Sequence, residues 1–419
     1  MRTNEKVSSC ILTGTVCIPA SKSDGQRALL AATLADGISI LTNVGQSRDE
    51  MAMRKSCEAI GAKISESKDG WFVHGAKKFP SHLRLDCGES GLGLRLLASV
   101  CAAHAGEFEL SGEGSLLQRN QQFFTKYFRE RMPACTLEEG QLPLRMVGPL
   151  RGGNLRVDGS SSSQYISGLL MALPLLKAKS ILKVDNLNSR PYVDMTLVTL
   201  RSFGIVLHET EKDTFTIDGN QKYRACAYTV EGDWSAASYW LAAAALGHPL
   251  RISGLSTSSV QADRAFLKAI ASAGCEVQWQ DEQLFVRVHA LRAFEFNAQH
   301  CPDLFPALVT IAAFCPGRSV ISGAHRLVNK ESNRGLALQA EYGKLGVRIE
   351  LHDDEMHIFG GTPLKSTKVF SHNDHRIAMC LAIAATRIPG GLEIEGAEAV
   401  GKSYPDFWKD LFSRAKADH

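Results

Sequence analysis

One phrase returns six times along this 419-residue chain, and that repeat limits what the chain can fold into more than any other feature. The phrase is an apolar helix-like run, a Gly or small residue, then an alternating strand ending near Asn or Gly. Its copies are RALLAATLADGISILTN (27–43), RLLASVCAAHAGEFELSG (95–112), YISGLLMALPLLKAKSILKVDN (165–186), SYWLAAAALGHPLRISG (238–254), FPALVTIAAFCPGRSVISG (305–323) and RIAMCLAIAATRIPGGLEIEG (376–396). The glycines after the runs, Gly37, Gly106, Gly247, Gly317 and Gly391, are separated by 69, 141, 70 and 74 residues. The third copy has Lys177-Ala178 in the glycine slot and fills the double gap. A second helix–Gly–strand phrase at Gly61, Gly204, Gly274 and Gly346 keeps the same period, with spacings of 143, 70 and 72. Its missing member falls near Met132–Cys135, where the glycine is lost.

A period of about 71 residues holds about two helices and several strands, so the chain reads as α/β. Glycine after a last helical turn is the expected cap, because it takes the left-handed conformation at no steric cost. A chain this long exceeds one ordinary core, so the six units are expected to be shared between two domains, three in each.

Composition narrows the functional classes. Net charge is only +3, which implies no general polyanion-binding face and no nucleic-acid partner. An acidic ligand must then be held by a local group of Lys and Arg. The longest apolar stretches, Ile166–Leu176 and Tyr239–Leu246, fall short of the ~18 residues of a membrane span. The first residues, Met1 to Val7, are polar and carry no signal-peptide core. The eleven cysteines show neither CxxC pairs nor zinc-type spacing. A reduced, cytoplasmic chain without a metal site is expected.

Polar motifs precede every apolar helix: SKSDGQR (21–27), GESGLGLR (88–95), GSSSSQY (159–165), GDWSAAS (232–238), CPDLFPA (301–307) and SHNDHR (371–376). Each is rich in residues that cap helix N-termini, whose free N–H groups and dipole favour anions. Capping accounts for the Ser, Asp and Asn. It does not account for Lys22, Arg27, Arg95 and Arg376 inside these motifs, or for Arg119, Lys330, Arg334 and Lys402 in other loops. Guanidinium groups beside apolar helices are costly unless partnered, and phosphate or carboxylate is such a partner.

At these motifs the chain resembles the 5-enolpyruvylshikimate-3-phosphate synthase family. The matching segments are SKSDGQRALL (21–30), DGSSSSQY (158–165), SRPYVDMT (189–196), NKESNR (329–334), NDHRIAM (373–379) and GKSYPDF (401–407), in order and spanning nearly the whole chain. The resemblance implies a two-domain enolpyruvyl transferase fold, each domain built from three βαβαββ repeats in a pseudo-threefold prism. It implies a domain of 19–228 on the shikimate-3-phosphate side, and one of 1–18 plus 229–419 on the phosphoenolpyruvate side. It also implies an enzyme that needs no cofactor, acts as a monomer on two small molecules, and is a glyphosate target.

Roles carried over by motif are as follows. Lys22, Ser23, Arg27, Ser162, Ser163, Gln164, Ser189, Tyr192, Asp303 and Lys330 resemble the residues that hold shikimate-3-phosphate. Lys22, Gly91, Arg95, Arg119, Gln164, Arg334, Arg376 and Lys402 resemble those that hold phosphoenolpyruvate. Lys22, Asp303 and Glu331 look like the catalytic groups, a plausible set for moving protons. The chain departs from the family pattern at Glu89, Leu92, Leu96, Asn120 and Asn333, all in segments that resemble those holding phosphoenolpyruvate. Leu92 and Leu96 are expected to shift the helix after Gly91 and to weaken glyphosate. The rival within the fold is a UDP-N-acetylglucosamine enolpyruvyl transferase, which typically carries a reactive cysteine in the loop matching Gly112–Asn120. That loop holds Arg119 and no cysteine here. A rival of another class is a non-catalytic phosphate-binding relative.

Overall fold

The computed structural model describes residues 3–138, 140–328 and 330–416. They form two compact units, one of residues 1–19 with 231–419 and one of 20–230. Each unit contains three main sheets of one repeated order, four-stranded in five of the six and three-stranded where Asn4–Val7 and Thr367–Phe370 flank Leu392–Glu395. In the second sheet of the 20–230 unit, His82–Asp86 runs parallel to Gly106–Ser111, which pairs antiparallel with Gln141–Gly148, and that strand pairs antiparallel with Ala134–Glu138. The strands Asn154–Asp158, Ser180–Asp185, Thr214–Ile217 and His208–Glu211 repeat that order, as do Glu295–Asn297, Gly317–Ser322, Glu355–Gly360 and Arg348–His352. A helix joins the parallel pair and a second helix leads to the hairpin, giving βαβαββ.

Three of the six repeats borrow a strand from elsewhere in their own unit. Ala227–Thr229 completes the sheet of Ile38–Thr42, at the far end of the 20–230 unit. Gly14–Cys17 completes that of Leu250–Ser253, and Asn4–Val7 that of Leu392–Glu395. The N-terminal segment thus supplies strands to two repeats that lie more than 200 residues away.

The helix after each first strand is apolar almost all round. All eleven residues of His375–Ala385 are buried, and nine of the ten in Phe305–Phe314. Such a helix must be covered on every side. Within the first unit His375–Ala385, Phe305–Phe314 and Trp234–Ala245 pack on one another. In the 20–230 unit Gly91–Ala102 packs on both Ser163–Ala172 and Lys22–Leu34. The second helices are amphipathic, and Arg48–Ile60 buries one face. All nine repeat glycines have φ between 68° and 153°. Gly61 alone is itself the capping residue, its N–H donating to the Cys57 carbonyl at 3.2 Å. Gly204, Gly247, Gly274 and Gly346 directly follow the capping residue and donate back into the last turn, as expected of a closing glycine, whereas Gly37, Gly106, Gly317 and Gly391 fall further on.

Among the described residues no helix is long and apolar enough to cross a membrane. All eleven cysteines are free, nine of them buried.

Candidate active site

Because the inner helices are buried along their length, they present groups through their N-terminal turns and the loops in front of them. In the first unit Asp303, in the 3-10 turn Pro302–Leu304, precedes the Phe305–Phe314 helix. It is the hub of a charged group. Lys330 Nζ reaches Asp303 Oδ1 at 3.1 Å and Arg334 Nη1 reaches the same oxygen at 2.7 Å. Arg376 Nη2 takes Oδ2 at 3.0 Å. Arg334 also donates to Glu331, three residues before it, and through Nε to Asp374 Oδ2 at 2.7 Å. Asp374 in turn caps the His375–Ala385 helix, accepting from the Arg376 N–H at 3.0 Å. Lys402, buried, donates to the Asn373 carbonyl at 2.7 Å, in a turn where His372 and Asn373 both have φ of 53°. Asp303, Lys330, Glu331, Arg334, Arg376 and Lys402 are thus brought together in one unit. Asn329, which opens one family-like motif, lies outside the described residues.

Burial alone would push the Asp303 carboxyl up, but Arg376, Lys330 and Arg334 outweigh it and hold it well below the usual carboxylate range. Burial lowers the Lys330 ammonium, opposed by Asp303. Burial also works against Arg334 and Arg376, yet the carboxylates around them hold both above the ordinary guanidinium range. Asp263 goes the other way. Burial, helped by the charge of Asp303, raises it to about 6, and Ser235 donates to it. Asp303 is therefore ionised at neutral pH and, with these three cations on it, a weaker base than an ordinary carboxylate.

The 20–230 unit carries the other set. Lys22, first residue of the Lys22–Leu34 helix, donates to Asp49 at 2.7 Å. Gly91 opens the Gly91–Ala102 helix, and a Cβ added there would lie 2.7 Å from Arg119 Nη1 and 3.7 Å from Gln164 Oε1. Arg95 donates to that Gln164 oxygen at 2.5 Å and to Ser162 Oγ at 3.5 Å, with its guanidinium carbon 4.6 Å from the centre of the Tyr165 ring. Its buried Nε has no hydrogen-bond partner. Ser162 caps the Ser163–Ala172 helix, accepting from Gln164 N–H at 3.3 Å. Gly91, Arg95, Arg119, Ser162, Ser163 and Gln164 thus form one polar group around two helix N-termini. Ser189 precedes the Arg190–Ser202 helix in the left-handed region, φ 56°, and does not cap it with its side chain.

Arg27 is enclosed by protein partners. It is 1% exposed, and its donors serve protein atoms: Thr196 Oγ1 at 2.8 Å, the Ser23 carbonyl at 2.6 Å, Ser167 Oγ at 3.2 Å and the Tyr192 carbonyl at 3.1 Å. Burial pushes it down to about 10. It ties together the segments that carry Ser23 and Tyr192, and one Nη1 hydrogen is left for a ligand.

The model of EPSP synthase (3-phosphoshikimate 1-carboxyvinyltransferase) matches residues 8–411. The chain belongs to the EPSP synthase family. A 3-phosphoshikimate 1-carboxyvinyltransferase of Clostridium perfringens is 37% identical over 406 residues, covering 96% of each chain. One of Clostridium acetobutylicum is 37% identical over 413 residues, covering 97% of this chain and 96% of the relative. An EPSP synthase structure from Acinetobacter baumannii superposes with a TM-score of 0.81 at 23% identity, covering 100% of this chain and 99% of that one. The enolpyruvyl transferase NikO from Streptomyces tendae gives 0.77 at 18%, covering 99% and 98%. The two-domain enolpyruvyl transferase fold of the EPSP synthase family is the fold of this chain.

The departures from the EPSP synthase pattern have local physical reasons. Glu89 Oε2 accepts from the Ser115 N–H at 3.0 Å and so holds the turn that leads to Arg119. Asn333 caps the Arg334–Lys344 helix as an aspartate would, accepting from Leu336 N–H at 3.3 Å. Asn120 accepts from Gln122 N–H at 2.7 Å. Leu92 and Leu96 both belong to the apolar core of the 20–230 unit.

Residues absent from the sequence-based set are Asp49, Asp263 and Asp374. Asp374 lies inside the NDHRIAM segment, and the helix-capping signal there could have found it. Asp49 sits in the Ser47–Glu50 capping box, a signal that speaks for a helix start and not for a lysine partner. Asp263 follows no motif.

Proposed function

We propose that this chain joins the enolpyruvyl group of phosphoenolpyruvate to the 5-hydroxyl of shikimate-3-phosphate and releases phosphate, the reaction named for its 3-phosphoshikimate 1-carboxyvinyltransferase relatives. The observation that carries this reading is Asp303, a carboxylate kept ionised by three cations and standing beside Glu331.

Addition requires the 5-hydroxyl to lose a proton as its oxygen bonds to C2 of phosphoenolpyruvate, while the C3 methylene gains one. Elimination then breaks the C2–O bond to phosphate and returns the C3 proton. Asp303 is the acceptor for the hydroxyl proton. Glu331 and Lys22 serve the proton that enters and leaves C3. Ser23, Ser162, Ser163, Gln164, Ser189, Tyr192 and Lys330 hold shikimate-3-phosphate, with Arg27 fixing Ser23 and Tyr192. Gly91, Arg95, Arg119, Arg334, Arg376 and Lys402 face the charge of phosphoenolpyruvate and stabilise it as it moves onto phosphate. The 20–230 unit is mainly the shikimate-3-phosphate side, and the other unit carries Arg334, Arg376 and Lys402 for phosphoenolpyruvate. A monomer working in the cytoplasm fits this reading.

Two observations weigh against a UDP-N-acetylglucosamine enolpyruvyl transferase. The loop at 112–120 has no thiol, and the nearby Cys101 and Cys135 are buried, with burial pushing Cys135 up to about 12. An assay of phosphate release tests the proposal. Release is expected only when phosphoenolpyruvate and shikimate-3-phosphate are both present. Release with UDP-N-acetylglucosamine in place of shikimate-3-phosphate would reverse it.

A further inference from the structure

The outer hairpin of the fifth sheet carries a second chemical group that the reaction does not use. Arg348–His352 pairs antiparallel with Glu355–Gly360, with Glu350 opposite His357 and His352 opposite Glu355. Side chains alternate along a strand, so Ile349, Met356 and Ile358 go to the core while Glu350, His352, Glu355 and His357 share the outer face. One ligand atom each from Glu350, His352 and His357 lies within 4.8 Å of the other two. The two imidazole rings are 4.6 Å apart and inclined by 48°. His352 Nε2 stands 3.1 Å from Glu350 Oε2, and His357 Nε2 stands 2.8 Å from Glu355 Oε2.

We propose that Glu350, His352 and His357 form a binding site for a divalent transition ion of the zinc class, with Glu355 as a further oxygen ligand. Two imidazoles and a carboxylate are the donor set such ions take. Bonds of about 2.1 Å to a tetrahedral ion space its ligands about 3.4 Å apart. Small side-chain rotations bring atoms now within 4.8 Å to that spacing. The ladder holds the two backbones in register, so little chain ordering opposes binding. Arg348 works against the ion, because its guanidinium lies 3.7 Å from Glu350 and competes for that carboxylate. It is also held over Phe359, 3.6 Å from the ring centre, on the side of Glu350 away from His352.

The site has a structural consequence. Arg348–His352 is an edge strand, paired on one side only. An ion bound to Glu350 and His352 from that strand and His357 from its neighbour clips the edge to the sheet. Without an ion the four side chains form two ordinary imidazole–carboxylate contacts of little energetic weight.

The test uses the full chain, freed of metal with EDTA and titrated with Zn²⁺ by calorimetry at about pH 7.5, above the usual imidazole range. Co²⁺ absorption identifies the ligands, since eleven free thiols offer competing sites. One ion per chain is expected, with a Co²⁺ spectrum lacking thiolate charge-transfer bands. His352→Gln and His357→Gln should each weaken binding more than about 10-fold, at least the loss seen when a mere outer-shell partner is removed. Both should keep the metal-free melting temperature and the phosphate-release activity. Zn²⁺ should raise the melting temperature of the native chain and not of the variants. No saturable binding, thiolate bands, or unchanged affinity in both variants would overturn the assignment.

Discussion

Arg334 and Asp374 form a buried ion pair, Nε to Oδ2 at 2.7 Å, with side chains 1% and 0% exposed. The pair joins the start of one helix to the cap of another and leaves the other end of the guanidinium for Asp303 and Glu331. Removing Asp374 takes one of three carboxylates from a buried guanidinium and removes the cap of the His375–Ala385 helix. Asp374→Ala is expected to cost about 3–5 kcal/mol of stability. Equilibrium denaturation checks this, and a loss under about 1 kcal/mol would show that the pair is not what fixes these helices.

Asp303→Asn and Glu331→Gln separate chemistry from structure. Each is expected to lower kcat by about 10²–10⁴-fold, the range for general acid–base groups. The melting temperature should move little for Glu331→Gln, whose side chain is partly exposed. Near-normal turnover in both variants would assign these carboxylates to ion pairing alone.

Gly91→Ala probes the anion side. Its Cβ would push on Arg119 Nη1 from 2.7 Å, the far end of a flexible side chain, so the protein should fold while Arg119 moves. A lost charged hydrogen bond is worth about 1.5–3 kcal/mol, which raises KM for phosphoenolpyruvate by roughly 10- to 150-fold. KM for shikimate-3-phosphate should stay within about 2-fold. Steady-state kinetics with each substrate varied in turn reads both values.

His248 predicts a pH dependence. Its Nδ1 accepts from the Leu12 N–H at 3.1 Å and its Nε2 lies 2.8 Å from Thr386 Oγ1, so the buried ring is held neutral. Burial lowers it to about 4 from an ordinary 6.5. The unfolded chain therefore binds the proton first as pH falls. Stability should decline between about pH 6.5 and 4, by up to about 3 kcal/mol from this group. His248→Gln should lose that slope while being less stable at neutral pH. Denaturation curves across this range decide it.

Much of the fold is legible in the sequence because the repeat leaves two signals at one period, the apolar inner helix and the glycine beyond it. What the repeat hides is the borrowing of strands, since Asn4–Val7 and Gly14–Cys17 carry no mark of the distant repeats they complete. The positive residues were legible because cations beside apolar helices demand partners. Their partners were less so. Asp263 reaches Ser235 only through the fold, and the protein atoms around Arg27 come from helices about 140 and 170 residues away. Sequence spacing shows that an arginine needs a partner and not whether the protein or a ligand supplies it.

The proposed reaction passes the enolpyruvyl group to the 5-oxygen of shikimate-3-phosphate. Carbon NMR with phosphoenolpyruvate labelled at C2 follows that carbon directly. With shikimate-3-phosphate and this protein, the signal should move to that of an enol ether on the shikimate ring, with one phosphate released for each. A C2 signal that stays with phosphoenolpyruvate, or that moves only when UDP-N-acetylglucosamine is supplied, would rule out transfer to shikimate-3-phosphate.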